Sequence, residues 1–367
     1  MLFRSMGKHG SLEWLPGKGV GVSGDCYPDL LLGDLPMVYP FIVDDPGEGA
    51  AAKRRTHAVI VDHLPPPMTT ADAYGPLTRI GRLVDEYYLL ERTDPSKLPF
   101  LQQEIWEVIR EARLDADLSM LLNSDGATAG HIHVWDPSTH DDGVPYSISD
   151  LTAADFRHLV EAIHAYTHEL SGAPIRDGLH TLGRVPEGEA LVEFVAMLTR
   201  LPNGEVPSLR DALARACGVE IVDVLLDAPG APLTHVPVPL AEVAGRVGRP
   251  LNAAADAIEV LQALALEVLH AFAAHDFTPD ALDAALAVLP AGIAAAEIER
   301  VGTTLRFVAA RIVPGLRRAD EELAHLLDAL DGRYVPAGPS GAPTRGMAHV
   351  LPTGRNFYSV DPRVVPS

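Results

Sequence analysis

The apolar residues of this 367-residue chain change their rhythm near residue 90, and that change most narrows the folds open to it. Before it, short apolar runs such as Leu30–Leu32, Tyr39–Val43 and Ala58–Val61 are bounded by Pro, Gly and Asp, as strands buried in a sheet are. A helix closes this part: Tyr74, Leu77, Ile80, Val84 and Tyr87 keep a three-or-four spacing, with Thr70 as the expected N-cap. Beyond it the period is helical. A stretch at about 98–113 is amphipathic through Leu101, Ile105, Val108 and Ile109. Thr152 and Asp155 form an expected capping box ahead of Phe156, Leu159, Val160 and Ile163. Ala-rich helical segments follow near 190–200, 209–217, 253–275, 279–288 and 297–312, with Thr278 and Pro279 as an N-cap and first-turn pair. A last helix at about 320–330 stops at Gly332.

The expected fold is therefore mixed α/β. Residues 1–92 form an α/β segment, 93–332 a mainly helical region broken by an irregular excursion at 123–148, and 333–367 an ordered Pro- and Gly-rich tail. A disordered linker rarely carries Asn356, Phe357 and Tyr358 side by side.

Charge excludes some functions. Lys and Arg number 29 against 50 Asp and Glu, a formal charge of −21, and such a surface repels phosphate backbones and anionic lipid. No nucleic-acid or membrane role is expected. The two cysteines, Cys26 and Cys217, lie far apart and fit neither a zinc spacing nor a disulfide framework, so a soluble, cytoplasmic chain with reduced thiols is expected. The run Ala284–Ala296 contains Pro290 and Gly292 and is too short to span a bilayer.

Several motifs mislead. Gly19–Gly24 matches G-x-G-x-x-G, but Pro28 and Gly33 follow too soon for the crossover helix a dinucleotide site needs. Gly17-Lys18 lacks the Ser or Thr of a P-loop, so any ATP use belongs to a partner. His164 and His168 are four apart but share their stripe with Arg157 and Glu161, which reads as a solvated helix face. His131, His133 and His140, in the irregular excursion, could cluster on a metal, but the sequence fixes no geometry for them.

The stretch His9-Gly10-Ser11-Leu12-Glu13-Trp14-Leu15-Pro16-Gly17-Lys18 is more informative. His9 and Glu13 are four apart, so one helical turn would aim both the same way. An imidazole beside a carboxylate suits proton abstraction and divalent-metal contact alike; on spacing alone, a surface His and a capping Glu explain it as well.

That stretch resembles the signature of the cobaltochelatase large-subunit (CobN) and magnesium-chelatase H-subunit family. So do Asp29–Gly33, Asp45–Gly49 running into Ala52–Arg55, and Ile175–His180. The tail segments Gly338–Gly346 and Leu351–Pro362 resemble the cobalt branch. The resemblance implies part of the tetrapyrrole-binding subunit of an ATP-dependent cobaltochelatase, inserting Co²⁺ into hydrogenobyrinic acid a,c-diamide in cobalamin biosynthesis. Its alternatives are a magnesium-chelatase H subunit inserting Mg²⁺ into protoporphyrin IX, or a non-catalytic tetrapyrrole-binding module. Glu13 then becomes the catalytic carboxylate, with His9 sharing its proton or metal. Trp14, Arg176, Arg345, Arg355, Asn356 and Tyr358 become substrate-binding residues in a cavity lined by the tail. ATP with Mg²⁺ would be used by AAA+ partner subunits. Family members are several times longer, so an internal fragment, inactive alone, is expected.

Overall fold

The computed structural model describes residues 12–66, 68–70, 76–111, 156–157, 159–164, 174–176, 180–219 and 222–358. The excursion at 123–148, the Thr152–Asp155 pair and residues 359–367 lie outside them.

The amino-terminal part is built on one β-α-β unit. Strands β1 (Val38–Ile42) and β2 (Val59–His63) pair in parallel, Val38 opposite Val59 and Ile42 opposite His63. Parallel neighbours need a crossover, and helix α2 (Pro46–Thr56) supplies it. Pro46 opens α2, the Asp45 side chain accepts the Glu48 N–H, and Lys53, Arg54 and Arg55 fill its last turn, where cations complement the helix dipole. Before β1 lies α1 (Tyr27–Leu32), where the sequence suggested a buried strand. Pro28 sits in its first turn, and Leu30 and Leu31 face solvent. A three-leucine run is too short to carry a period, and the helix-opening proline outweighed it.

Thr70, the expected N-cap, instead ends strand β3 (Met68–Thr70), antiparallel to β4 (Pro174–Arg176). Helix α3 (Pro76–Thr93) packs on α4 (Leu98–Glu111) and on the helical stretch 159–164. Their core joins Ile80, Val84, Tyr87, Ile105, Trp106, Ile109, Phe156, Leu159 and Ile163.

The largest core is mainly helical. Helices α5 (Glu189–Thr199), α6 (Leu209–Ala216), α7 (Val222–Asp227) and α8 (Val238–Val247) surround α9 (Ala254–Ala273). Val260, Leu261, Leu264, Val268, Leu269 and Phe272 of α9 are fully buried there. Thr278 does precede a 3₁₀ turn at Pro279–Ala281, but its hydroxyl donates to the His275 carbonyl rather than capping it. After α10 (Leu282–Leu286), α11 (Ala295–Phe307) and α12 (Val313–Leu316), α13 (Asp320–Leu330) lies on β1 and β2.

The tail then returns to the β-α-β unit. Strands β5 (Ala337–Pro339) and β6 (Asn356–Tyr358) pair in parallel. Residues just before β6 run along β2: Asp62 N–H donates to Arg355 O at 2.9 Å and Gly354 N–H to Asp62 O at 2.9 Å. Phe357 completes a small core with Phe41, Ala52, Ala58 and Ile60. Its ring lies so close to Gly49 that a side chain there would overlap it.

Candidate functional site

The signature turn, Leu12–Trp14, is one turn of 3₁₀ helix closed by Leu15 N–H to Leu12 O. Two bonds fix it: Tyr27 N–H donates to Pro16 O, and Arg55 Nη2 donates to Leu15 O at 2.6 Å. The turn thus sits on α1 and on the carboxyl end of α2. His9 and the Glu13 side chain lie outside the described residues. Trp14 is 61% exposed, and within the same short stretch Val20, Tyr27, Leu30, Leu31 and Leu35 are exposed too. So much uncovered apolar surface in 22 residues marks an interaction face more often than chance.

On another side of α2 stands the tail strand. Lys53 Nζ donates to Asn356 Oδ1 and lies 4.1 Å from the Tyr358 ring centroid. The Asn356 carbonyl also accepts the Ile60 N–H at 3.1 Å. Lys53 and Arg55 are two residues apart, so their side chains leave the helix in different directions. The signature turn and the tail strand therefore flank the end of α2.

Behind Lys53 lies a buried polar seam that the sequence did not mark. Asp62 is 0% exposed. Its Oδ1 accepts the Arg355 N–H at 2.6 Å, and its Oδ2 has no hydrogen-bond partner among the described residues. Burial, reinforced by the neighbouring Glu322 charge, pushes the Asp62 carboxyl up to about 8 against the Arg355 and Gly354 hydrogen bonds. Burial likewise brings Lys53 down to about 8, with Asp62 pulling the other way. Carboxyl and amine thus change charge in the same pH range.

Glu322, also 0% exposed, is differently placed. Its Oε1 accepts Leu64 N–H at 2.9 Å and Thr353 Oγ1–H at 2.6 Å; its Oε2 takes Gly183 N–H at 3.1 Å and meets His180 Nε2 at 2.6 Å. Burial raises this carboxyl, but the bonds from His180, Thr353 and Gly183 outweigh it and its pKa falls below the ordinary value. His180 stacks on His63, centroids 5.4 Å apart, and burial lowers the pKa of His63. Glu322 therefore ties the exit of β2, the turn at 180–183 and the tail to α13.

The other sequence candidates scatter. Arg355 packs its chain over Gly338 and pairs with Glu321 at 3.1 Å. Arg345 is the exposed last residue of a 3₁₀ turn whose Pro343 and Thr344 are buried. Arg176 lies in β4 opposite Met68, its side chain outside the described residues. His164 is no solvated surface residue: it is 4% exposed and meets Asp256 at 3.0 Å. Among the described residues no group of three or more His, Cys, Asp or Glu could hold a metal ion, and no helix is long and apolar enough to cross a membrane.

A family model described as CobN/Magnesium Chelatase matches residues 4–367. An aerobic cobaltochelatase subunit CobN of Pseudomonas aeruginosa is 39% identical over 99% of the chain, and a magnesium-chelatase subunit ChlH of Oryza sativa subsp. japonica is 30% identical over 98%. A solved structure, the catalytic subunit of cobaltochelatase from Mycobacterium tuberculosis, superposes over 98% of the chain with a TM-score of 0.72 and 38% identity. The chain spans about a quarter of the length of each of these relatives, 24 to 26%.

Proposed function

The chain belongs to the CobN/magnesium chelatase family, and from that premise we propose that it forms part of the large subunit of a cobaltochelatase. In this reading it inserts Co²⁺ into a corrin-type tetrapyrrole, a metal-free cobalamin precursor such as hydrogenobyrinic acid a,c-diamide. The higher identity to the cobalt-branch relative, 39% against 30%, favours cobalt over magnesium.

One observation carries the reading: the signature turn and the tail strand, more than 300 residues apart, flank the same end of α2. Around that end stand an exposed apolar stretch that can lie against a flat ring and polar groups that can meet its amide and carboxyl rim. Trp14 and Tyr358 offer ring faces. Asn356 and Lys53 offer amide and amine N–H donors, and Arg345, Arg355 and Arg176 are the forked donors assigned to the rim.

Metal insertion has two barriers. The ring must lose two N–H protons, and the aquo ion must exchange water for ring nitrogens. Glu13, with His9 four residues before it in the sequence, is the group we assign to proton removal and to guiding the ion. ATP hydrolysis belongs to AAA+ partner subunits in this reading, since the chain has no P-loop lysine motif.

The test is Glu13→Gln in the assembled chelatase. We expect cobalt insertion to fall by about 10² or more while the metal-free ring still binds. Undiminished turnover removes Glu13 from the mechanism. Titrating the chain in parallel with a metal-free corrinoid and a protoporphyrin decides the branch, and a clear preference for the porphyrin selects the magnesium reaction.

A further inference from the structure

We propose that Lys53, backed by Asp62, is a second proton acceptor of this site, taking at Nζ one of the two protons that leave the ring nitrogens. The proposal rests on the chelatase reading above and deepens it. Insertion releases two protons, and a single carboxylate holds only one, so a site that relies on Glu13 alone must empty it between the two losses.

Geometry singles out Lys53. Its Nζ stands between the outer strand and the buried seam, donating to Asn356 Oδ1 and lying over the half-exposed Tyr358 ring. An ammonium has three donors. Behind it, Asp62 Oδ2 is a fully buried carboxyl oxygen with no hydrogen-bond partner among the described residues. Native interiors seldom keep such an atom without a use for it. A non-titrating residue could still offer an oxygen to the Arg355 N–H, so the tail bond alone does not call for a carboxyl. The Asp62 charge reaches Lys53 and favours its protonated form.

The surrounding charges favour a labile proton. Glu322 on α13 and Arg355 on the tail act on Asp62, and Asp62 acts in turn on Lys53 of α2; Glu321 pairs with Arg355, His180 pairs with Glu322 and stacks on His63, and Asp44 acts on His63. Glu322 stays ionised in that group and so disfavours a second carboxylate. Both Lys53 and Asp62 are brought to about 8, near the value at which a general base works best.

The step balances. Neutral Lys53 Nζ takes the proton of a pyrrole-type N–H and becomes an ammonium. The N–H electron pair remains on the ring nitrogen and is donated to Co²⁺. The ammonium then yields its proton to the Asp62 carboxylate or to water beside Tyr358. Asp62 acts here through Lys53 and is a positioning residue.

Two measurements test this. In the chain itself, side-chain carbon shifts of Lys53 and Asp62 followed by NMR from about pH 5 to 10 should both turn near 8, a range that brackets both groups, and Asp62→Asn should lower the Lys53 midpoint. Midpoints at the ordinary lysine and aspartate values overturn the proposal. In the assembled chelatase, the rate of cobalt insertion should rise with a midpoint near pH 8. Lys53→Arg, which keeps the charge and the ring contact, should remove that rise and slow insertion about tenfold or more at that pH, as losing a general base does. In Lys53→Ala, added small primary amines should restore part of the rate. An unchanged pH profile in Lys53→Arg, with the ring bound normally, defeats this proposal alone. A wild-type complex that binds no tetrapyrrole defeats the chelatase reading and this proposal with it.

Discussion

Replacing Asp62 with asparagine should stabilise the protein, by an amount that grows with pH. The carboxyl titrates at about 8 when folded and at 3.8 when free in the unfolded chain. A carboxyl whose folded pKa is raised contributes stability that is complete below the unfolded value and is lost as pH rises toward the folded one. The gap is about four units, each worth about 1.4 kcal/mol. Wild type therefore loses about 4 kcal/mol between about pH 4 and pH 7, and the loss levels off above about pH 8, when the folded carboxyl also ionises. The amide of the Asp62→Asn variant does not titrate, and its carbonyl can keep the bond from Arg355 N–H. Urea unfolding of both proteins at about pH 4, 5.5, 7 and 8.5 measures the difference: near zero at the acid end, about 4 kcal/mol in favour of the variant at neutral pH. A difference that stays flat across this range, or a variant less stable than wild type at its alkaline end, would refute the reasoning that burial governs Asp62.

Two further outcomes concern the seam and the tail strand beside it. Glu322→Gln turns one carboxylate oxygen into a donor, so a buried acceptor is lost to the pairs it serves at Leu64, Thr353, His180 and Gly183; unfolding at neutral pH should cost about 2–4 kcal/mol less. The pKa of Glu322 is depressed, so its charge-dependent contribution holds above the ordinary 4.5 and fades as pH falls below it, and the gap between variant and wild type should narrow below pH 4.5. Gly49→Ala drives a methyl into the Phe357 ring; overpacking of this kind costs about 1–3 kcal/mol, and amide exchange at Ile60 and Asp62 should quicken as the tail strand loosens.

Much of the β-α-β unit could be read in advance. β1 and β2 announce themselves as β-branched and aromatic runs between breakers; the helix between them was not read, although Asp45-Pro46 and three basic residues in its last turn signal it. The signature turn and the Asn356–Tyr358 strand were also marked, as motifs. Their meeting at α2 was not, because no local pattern encodes a contact between residues some 300 positions apart. His164 shows the same limit: its stripe reads as solvated, and its burial goes with partners distant in sequence, Asp256, 92 residues away, and the Tyr88 ring. Glu322 was hidden within Asp320-Glu321-Glu322, an acidic first turn like many on surfaces. Asp62 did leave a signal, since it follows Val59-Ile60-Val61 in a strand buried on both faces. A lone acid in such a run is costly unless it is used.

The Ile60 amide and the Asn356 side chain are joined across 296 residues. Closing a loop of that size from a disordered chain costs about 5 kcal/mol in entropy, and the helical body between them must form first to bring the ends within reach. The region where the tail meets α2 should thus be the last part of the molecule to assemble and the first to come apart. Damage deep in the helical core, far from any reacting atom, would then surface as slow or incomplete acquisition of ligand binding after refolding.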